Sequence, residues 1–104
     1  MLGNQKTVDF LLDFGELNID CQNIHAYTPL MVACTNSQTT IIKTLIQNKA
    51  QVNKENLDGM TPLHAACLSG NIKAVDLLLD QSEADILRKD KSNMIPLHYA
   101  VIKD

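Results

Sequence analysis

The chain has 104 residues, 45% of them apolar and 20% charged, and a formal net charge of −3. That length holds one domain, and a mildly acidic balance with scattered lysines argues against a basic nucleic-acid surface or a polybasic membrane patch. No apolar run approaches the ~20 residues of a membrane-spanning helix, and no charged-then-apolar signal peptide opens the sequence.

Read in chain order, Gln5 to Asp13 places apolar side chains at i, i+3 and i+4, the pattern of a one-faced helix. Leu17-Asn18-Ile19-Asp20 follows as a connector. Thr28 is a good N-cap and Pro29 suits the first helical position, which predicts a helix from about Pro29 to Asn36. Ser37 breaks it, and a second helix should run from about Gln38 to Gln47. The same sequence of events then recurs. Ala50-Gln51-Val52-Asn53 connects, Asp58-Gly59 supplies a turn, and Thr61 caps a helix from Pro62 to Ser69. Gly70 ends that helix, and another should span Asn71 to Asp80 before Ala84-Asp85-Ile86-Leu87. Ser92-Asn93 turns less well than Asp58-Gly59, and Ile95 stands where a capping threonine would, at a cost of ~1 kcal/mol. A last helix begins at Pro96, with fraying expected after Asn93. His25-Ala26 lacks the Gly or Asn that the equivalent turns carry.

The recurrence has a nearly fixed period. Thr28-Pro29-Leu30-Met31-Val32-Ala33, Thr61-Pro62-Leu63-His64-Ala65-Ala66 and Ile95-Pro96-Leu97-His98-Tyr99-Ala100 follow one another at offsets of 33 and 34. Gly3-Asn4 matches Gly70-Asn71 at an offset of 67, as do Val8 with Val75, Leu11 with Leu78 and Asp13 with Asp80. A T-P-L-H-x-A motif at this period resembles the ankyrin-repeat family. The resemblance covers nearly the whole chain. It implies an all-α solenoid of stacked helix-turn-helix units joined by β-hairpin-like loops, used as a protein-interaction module. It divides the chain into a partial repeat over 1–24, full repeats at about 25–57 and 58–91, and a partial repeat at about 92–104. That division suggests a fragment of a longer protein, with Val8, Phe10, Leu11 and Phe14 partly uncovered at one end and Tyr99, Val101 and Ile102 at the other. Open repeat ends of this kind also allow weak self-association.

Cys34 and Cys67 lie one repeat apart, so they are one recurring position and read as core thiols of a reducing, intracellular and cytoplasmic setting. His64 with Cys67 and Cys21 with His25 have spacings compatible with zinc ligation, but a zinc site needs two such pairs to converge. A Cys67–His64 nucleophile pair is the sharpest enzymatic reading. Against it, Cys67 recurs as Cys34 with Met31 in the histidine position, as a packing residue would. No metal, cofactor or catalytic residue is therefore expected, and the resemblance implies that His64 and His98 tie one repeat to the next. Lys49 and Ser82 stand where the family usually has Gly, and Asn53 occupies a place where the family can carry an asparagine-hydroxylase target. Asp9 with Asp13 and Asp76 with Asp80 read as solvated acidic faces.

The resemblance puts partner contacts on the hairpin tips and the open side of each first helix. There Ile24 and Leu57 form one apolar column, and Tyr27, Met60 and Met94 a second. Leu68 and Lys91 complete the expected site, with Lys89 and Lys103 favouring an acidic segment of the partner at one end. The partner expected is a protein or peptide. A regulatory or anchoring domain acting within a larger enzyme or channel is the alternative.

Overall fold

The structure is a computed structural model and describes residues 4–13, 15, 17–81 and 83–103. Among them are six α-helices and no strand: α1 (Gln5–Asp13), α2 (Pro29–Thr35), α3 (Thr39–Gln47), α4 (Pro62–Ser69), α5 (Ile72–Gln81) and α6 (Pro96–Lys103). Each boundary lies within a residue or two of the one its local signals predict. Gly3, Phe14, Ser82 and the side chain of Lys103 fall outside the described residues.

The helices are too short, at 7 to 10 residues, to persist alone in water, so packing holds them. They form two rows. The first helices α2, α4 and α6 stack on one another, the second helices α1, α3 and α5 do the same, and the pairs α2–α3 and α4–α5 close the layer. The core lies between the rows and is aliphatic, with Leu30, Met31, Ile42, Leu45, Leu63, Ala74 and Leu78 all buried.

Threonine caps behave as their chemistry requires. Thr28 Oγ1 accepts from the Met31 N–H, and Thr61 Oγ1 from the His64 N–H. His64 bonds back through Nδ1, which accepts from the Thr61 N–H at 3.1 Å and so completes a capping box with histidine in the place of Glu or Gln. Helix ends are closed by paired bonds. Gln38 N–H reaches Ala33 O and Asn71 N–H reaches Ala66 O, each across a left-handed residue, Ser37 and Gly70 respectively. Lys49, with φ 67°, does the same for α3. The backbone at Ser37 and Lys49 holds a conformation that costs non-glycine residues roughly 1 kcal/mol or more. The unusual His25-Ala26 turn is overridden in the same way: Ala26 has φ 63°, matching Gly59 and Asn93.

Candidate protein-binding surface

Each hairpin is built around one side chain. Asn23, Asn56 and Asp90 recur at offsets of 33 and 34, a column that the motif reading passes over although its period was visible. The Oδ1 of each accepts two backbone N–H groups: His25 and Tyr27, Asp58 and Met60, Ser92 and Met94. The backbone N–H of each also donates to the carbonyl four residues on. These bonds pin the backbone of each tip to its own Asn or Asp side chain.

Neighbouring tips are then bonded together. Leu57 N–H donates to His25 O at 3.2 Å and Lys91 N–H to Asp58 O at 2.9 Å, equivalent bonds one repeat apart. A side chain at Gly59 would be strained on two counts. Its φ is 74°, and a Cβ on it would stand 3.1 Å from Lys91 N. Side chains add further ties between repeats. Gln22 Nε2 donates to Glu55 O, Asp20 Oδ1 accepts from Gln51 N–H, and Arg88 bridges Glu55 and Asp85. Asn53 uses both ends of its amide, accepting from Asp85 N–H at 2.8 Å and donating to Glu83 O at 3.1 Å.

The predicted binding residues do not share one environment. Ile24 (86% exposed), Leu57, Leu68 and Lys91 project into solvent. Tyr27 and Met94 are half-buried. Met60 is only 9% exposed and belongs to the core, so the expected exposed column of Tyr27, Met60 and Met94 is corrected at its centre. Met60 sits on the middle of the three hairpins, whereas Tyr27 and Met94 belong to the first and the last. At the ends, Phe10, Leu11, Val101 and Ile102 are exposed as anticipated, while Val8 and Tyr99 are half-covered.

The two histidines of the motif diverge. His64 is fully buried, and with Nδ1 accepting from Thr61 its Nε2–H donates to Met94 O at 2.9 Å, across to the next unit. Tyr99 meets the ring edge-on at a centroid distance of 5.9 Å. His98 is exposed, and its Nδ1 accepts from the Ile95 N–H, the half of the capping box that His64 also makes, while the His98 N–H that a threonine hydroxyl would take donates to Ile95 O. Burial pushes the Cys67 thiol up and the Cys34 thiol up to about 12, the opposite of what a nucleophile needs. Both ring nitrogens of His64 are committed to the backbone, so no base stands ready for Cys67. All three cysteines are free, and no group of three or more ligating side chains gathers among the described residues.

Asp90 and Tyr99 form a second tie at the C-terminal unit. The Tyr99 hydroxyl donates to Asp90 Oδ2. Burial acts to raise the Asp90 carboxyl, but the bonds from Tyr99, Met94 and Ser92 outweigh it and hold it below the ordinary carboxylate value. The Asp90 bond, with burial, pushes the Tyr99 phenol up to about 12. The signs follow directly. The lowered Asp90 contributes stability at neutral pH that disappears as pH falls below the ordinary carboxylate range. The raised Tyr99 contributes stability that disappears as pH rises from about 10 to about 12. Phenolate absorbance should show a late step near 12 that Tyr99→Phe removes. A Tyr99 titration at the ordinary tyrosine value would contradict the bond.

Stacked helix pairs with a bonded ladder of hairpin tips define a solenoid repeat protein, whose units contact only their neighbours. Residues 1–46 and 30–79 match the family model described as ankyrin repeats (many copies), and the chain belongs to the ankyrin-repeat family. It is 35% identical over 103 residues to Alpha-latrotoxin-Lhe1a of Latrodectus hesperus, covering 95% of this chain and 7% of that protein. Similarity to a putative ankyrin repeat protein of Rickettsia bellii is 41% over 54 residues, 51% of this chain and 23% of that one. The E3 ubiquitin-protein ligase XBAT33 of Arabidopsis thaliana is 32% identical over 95 residues, 90% of this chain and 18% of that one. The chain thus spans a small part of the length of the relatives it matches. No described helix is long and apolar enough to cross a membrane.

Proposed function

We propose that this chain is a non-catalytic protein-interaction module that presents its hairpin tips and the open side of α4 to a protein or peptide partner. The observation that carries this reading is the pairing of exposed apolar side chains with a rigid backbone. Ile24 and Leu57 sit on tips pinned by inter-repeat hydrogen bonds, with Leu68 on α4 and Lys91 on the following tip. Apolar contacts held in place before binding lose little entropy on association. Tyr27 and Met94 contribute their exposed edges. The two buried thiols suit a reducing, cytoplasmic compartment.

Capture from lysate by the native chain, in parallel with an Ile24→Ser/Leu57→Ser/Leu68→Ser variant, tests the surface. Loss of a captured protein at unchanged melting temperature is the expected result. Equal capture would remove these residues from the site. A second reading, an anchoring or regulatory array inside a larger protein, is favoured by the 7% of Alpha-latrotoxin-Lhe1a and 18% of XBAT33 that the chain spans.

A further inference from the structure

Equivalent residues of the three hairpin tips stand in register. Leu57 N–H donates to His25 O and Lys91 N–H to Asp58 O, in each case to the residue that follows the equivalent position of the preceding tip. The two bonds therefore line up Ile24, Leu57 and Lys91 in one column. The column is open along its length: Ile24 is 86% exposed, Leu57 is 57% exposed, and Lys91 is exposed too. This openness is not an effect of the ends of the array, because Leu57 has a bonded tip on each side of it. Charge is uneven along the same line. Arg88 bonds Glu55 and Asp85, but Lys89 and Lys91 are exposed and in no ion pair among the described residues. The middle tip carries an exposed carboxylate, Asp58. From the first tip to the third the surface is apolar, then apolar beside an acid, then cationic.

We propose that the partner of this surface is an extended peptide segment, with two apolar residues for Ile24 and Leu57 and an acidic residue for Lys91 and Lys89. The inference rests on the binding surface proposed above and adds its occupant. The first helices α2, α4 and α6 pack on one another in turn. Packed helices lie about 8–10 Å apart, and the tips that precede them keep that step. An extended chain advances about 3.3 Å per residue and covers the step in about three residues. The segment therefore reads apolar-x-x-apolar-x-x-acid, or the same order reversed, since contacts along one column do not fix chain direction. Charge sets the register. An acid slid back onto the middle tip would meet Asp58, whereas one at the third tip meets two lysines.

Selection of a random phage-displayed peptide library on the native chain tests this. Enriched peptides should carry the pattern in one of its two directions. Their affinity should fall about tenfold for Lys89→Glu/Lys91→Glu and recover when the acidic residue of the peptide is changed to lysine. Both lysines are exposed, and Lys91 reaches Asp58 O through its backbone, so the double change leaves the bonds between tips in place. Four results would overturn the proposal: no enrichment, enriched peptides without the acid, apolar residues about seven apart as on one face of a helix, or undiminished binding to the charge-reversed variant. Such a failure leaves the surface itself standing if bound peptides, or a protein captured from lysate, are lost with Ile24→Ser/Leu57→Ser/Leu68→Ser. Binding that survives the triple change would remove the surface and the peptide together.

Discussion

Replacing His64 with leucine should destabilise the array by about 2–4 kcal/mol, while the same change at His98 should cost under about 1 kcal/mol. Leucine fills much of the space, so the loss at His64 is chiefly polar. The Thr61 N–H, which His64 Nδ1 accepts at 3.1 Å, would be left inside a fully buried cap. A buried donor stranded in this way costs about 1–3 kcal/mol. The bond from Nε2 to Met94 O and the edge contact with Tyr99 would go as well, loosening α4 from α6. At His98 the ring is exposed and water replaces its backbone bond. Urea denaturation of both variants gives the comparison, read as a shift in midpoint at constant slope. Equal losses at the two sites would mean that the motif histidine acts within its helix only, and not between repeats.

Met60→Asp should be more damaging still, at roughly several kcal/mol, whereas Ile24→Asp should stay within about 0.5 kcal/mol. The two residues belong to the same predicted surface and differ in what covers them. Met60 is 9% exposed, and a carboxylate there would be buried with the apolar side chains of the core. Its backbone N–H and O are both used by Asn56, so the segment is not free to turn the charge outward. Ile24 is open to water and loses nothing by becoming charged. Thermal melts of the two variants decide the matter. A stable Met60→Asp protein would return Met60 to the exposed column.

Tests of the binding surface therefore need variants that leave Met60 intact. A polar change at Met60 would abolish capture by unfolding the central hairpin, and the result would look like loss of a contact. Leu57, on the same hairpin and exposed, carries the same information without that confusion.

Helix positions were legible from short-range chemistry. Thr28-Pro29 and Thr61-Pro62 mark helix starts because a hydroxyl cap and a proline need only the next turn to act. The recurring offsets of 33 and 34 identified the family because stacked units repeat the same packing problem. The column Asn23, Asn56 and Asp90 carried the same signal in its spacing, but its role emerges only when the loop folds back on each Oδ1.

Other features depended on how the chain folds back on itself or on residues a full repeat away, and its local composition could not reveal them. Ala26, Ser37 and Lys49 adopt left-handed backbone because the hairpin and helix-end bonds around them outweigh the local penalty. Met60 is buried while its counterparts Tyr27 and Met94 are half-buried because burial is set by what stacks on a position, and only the central hairpin lies between two others. His64 and His98 share a motif, yet among the described residues only His64 has a following repeat whose carbonyl it can reach. The sequence by itself thus determined the elements and their repetition, through caps, turns and apolar spacing. The tertiary structure alone decided which copies of a repeated residue are covered and which stay open, because covering requires a neighbour that one repeat does not contain.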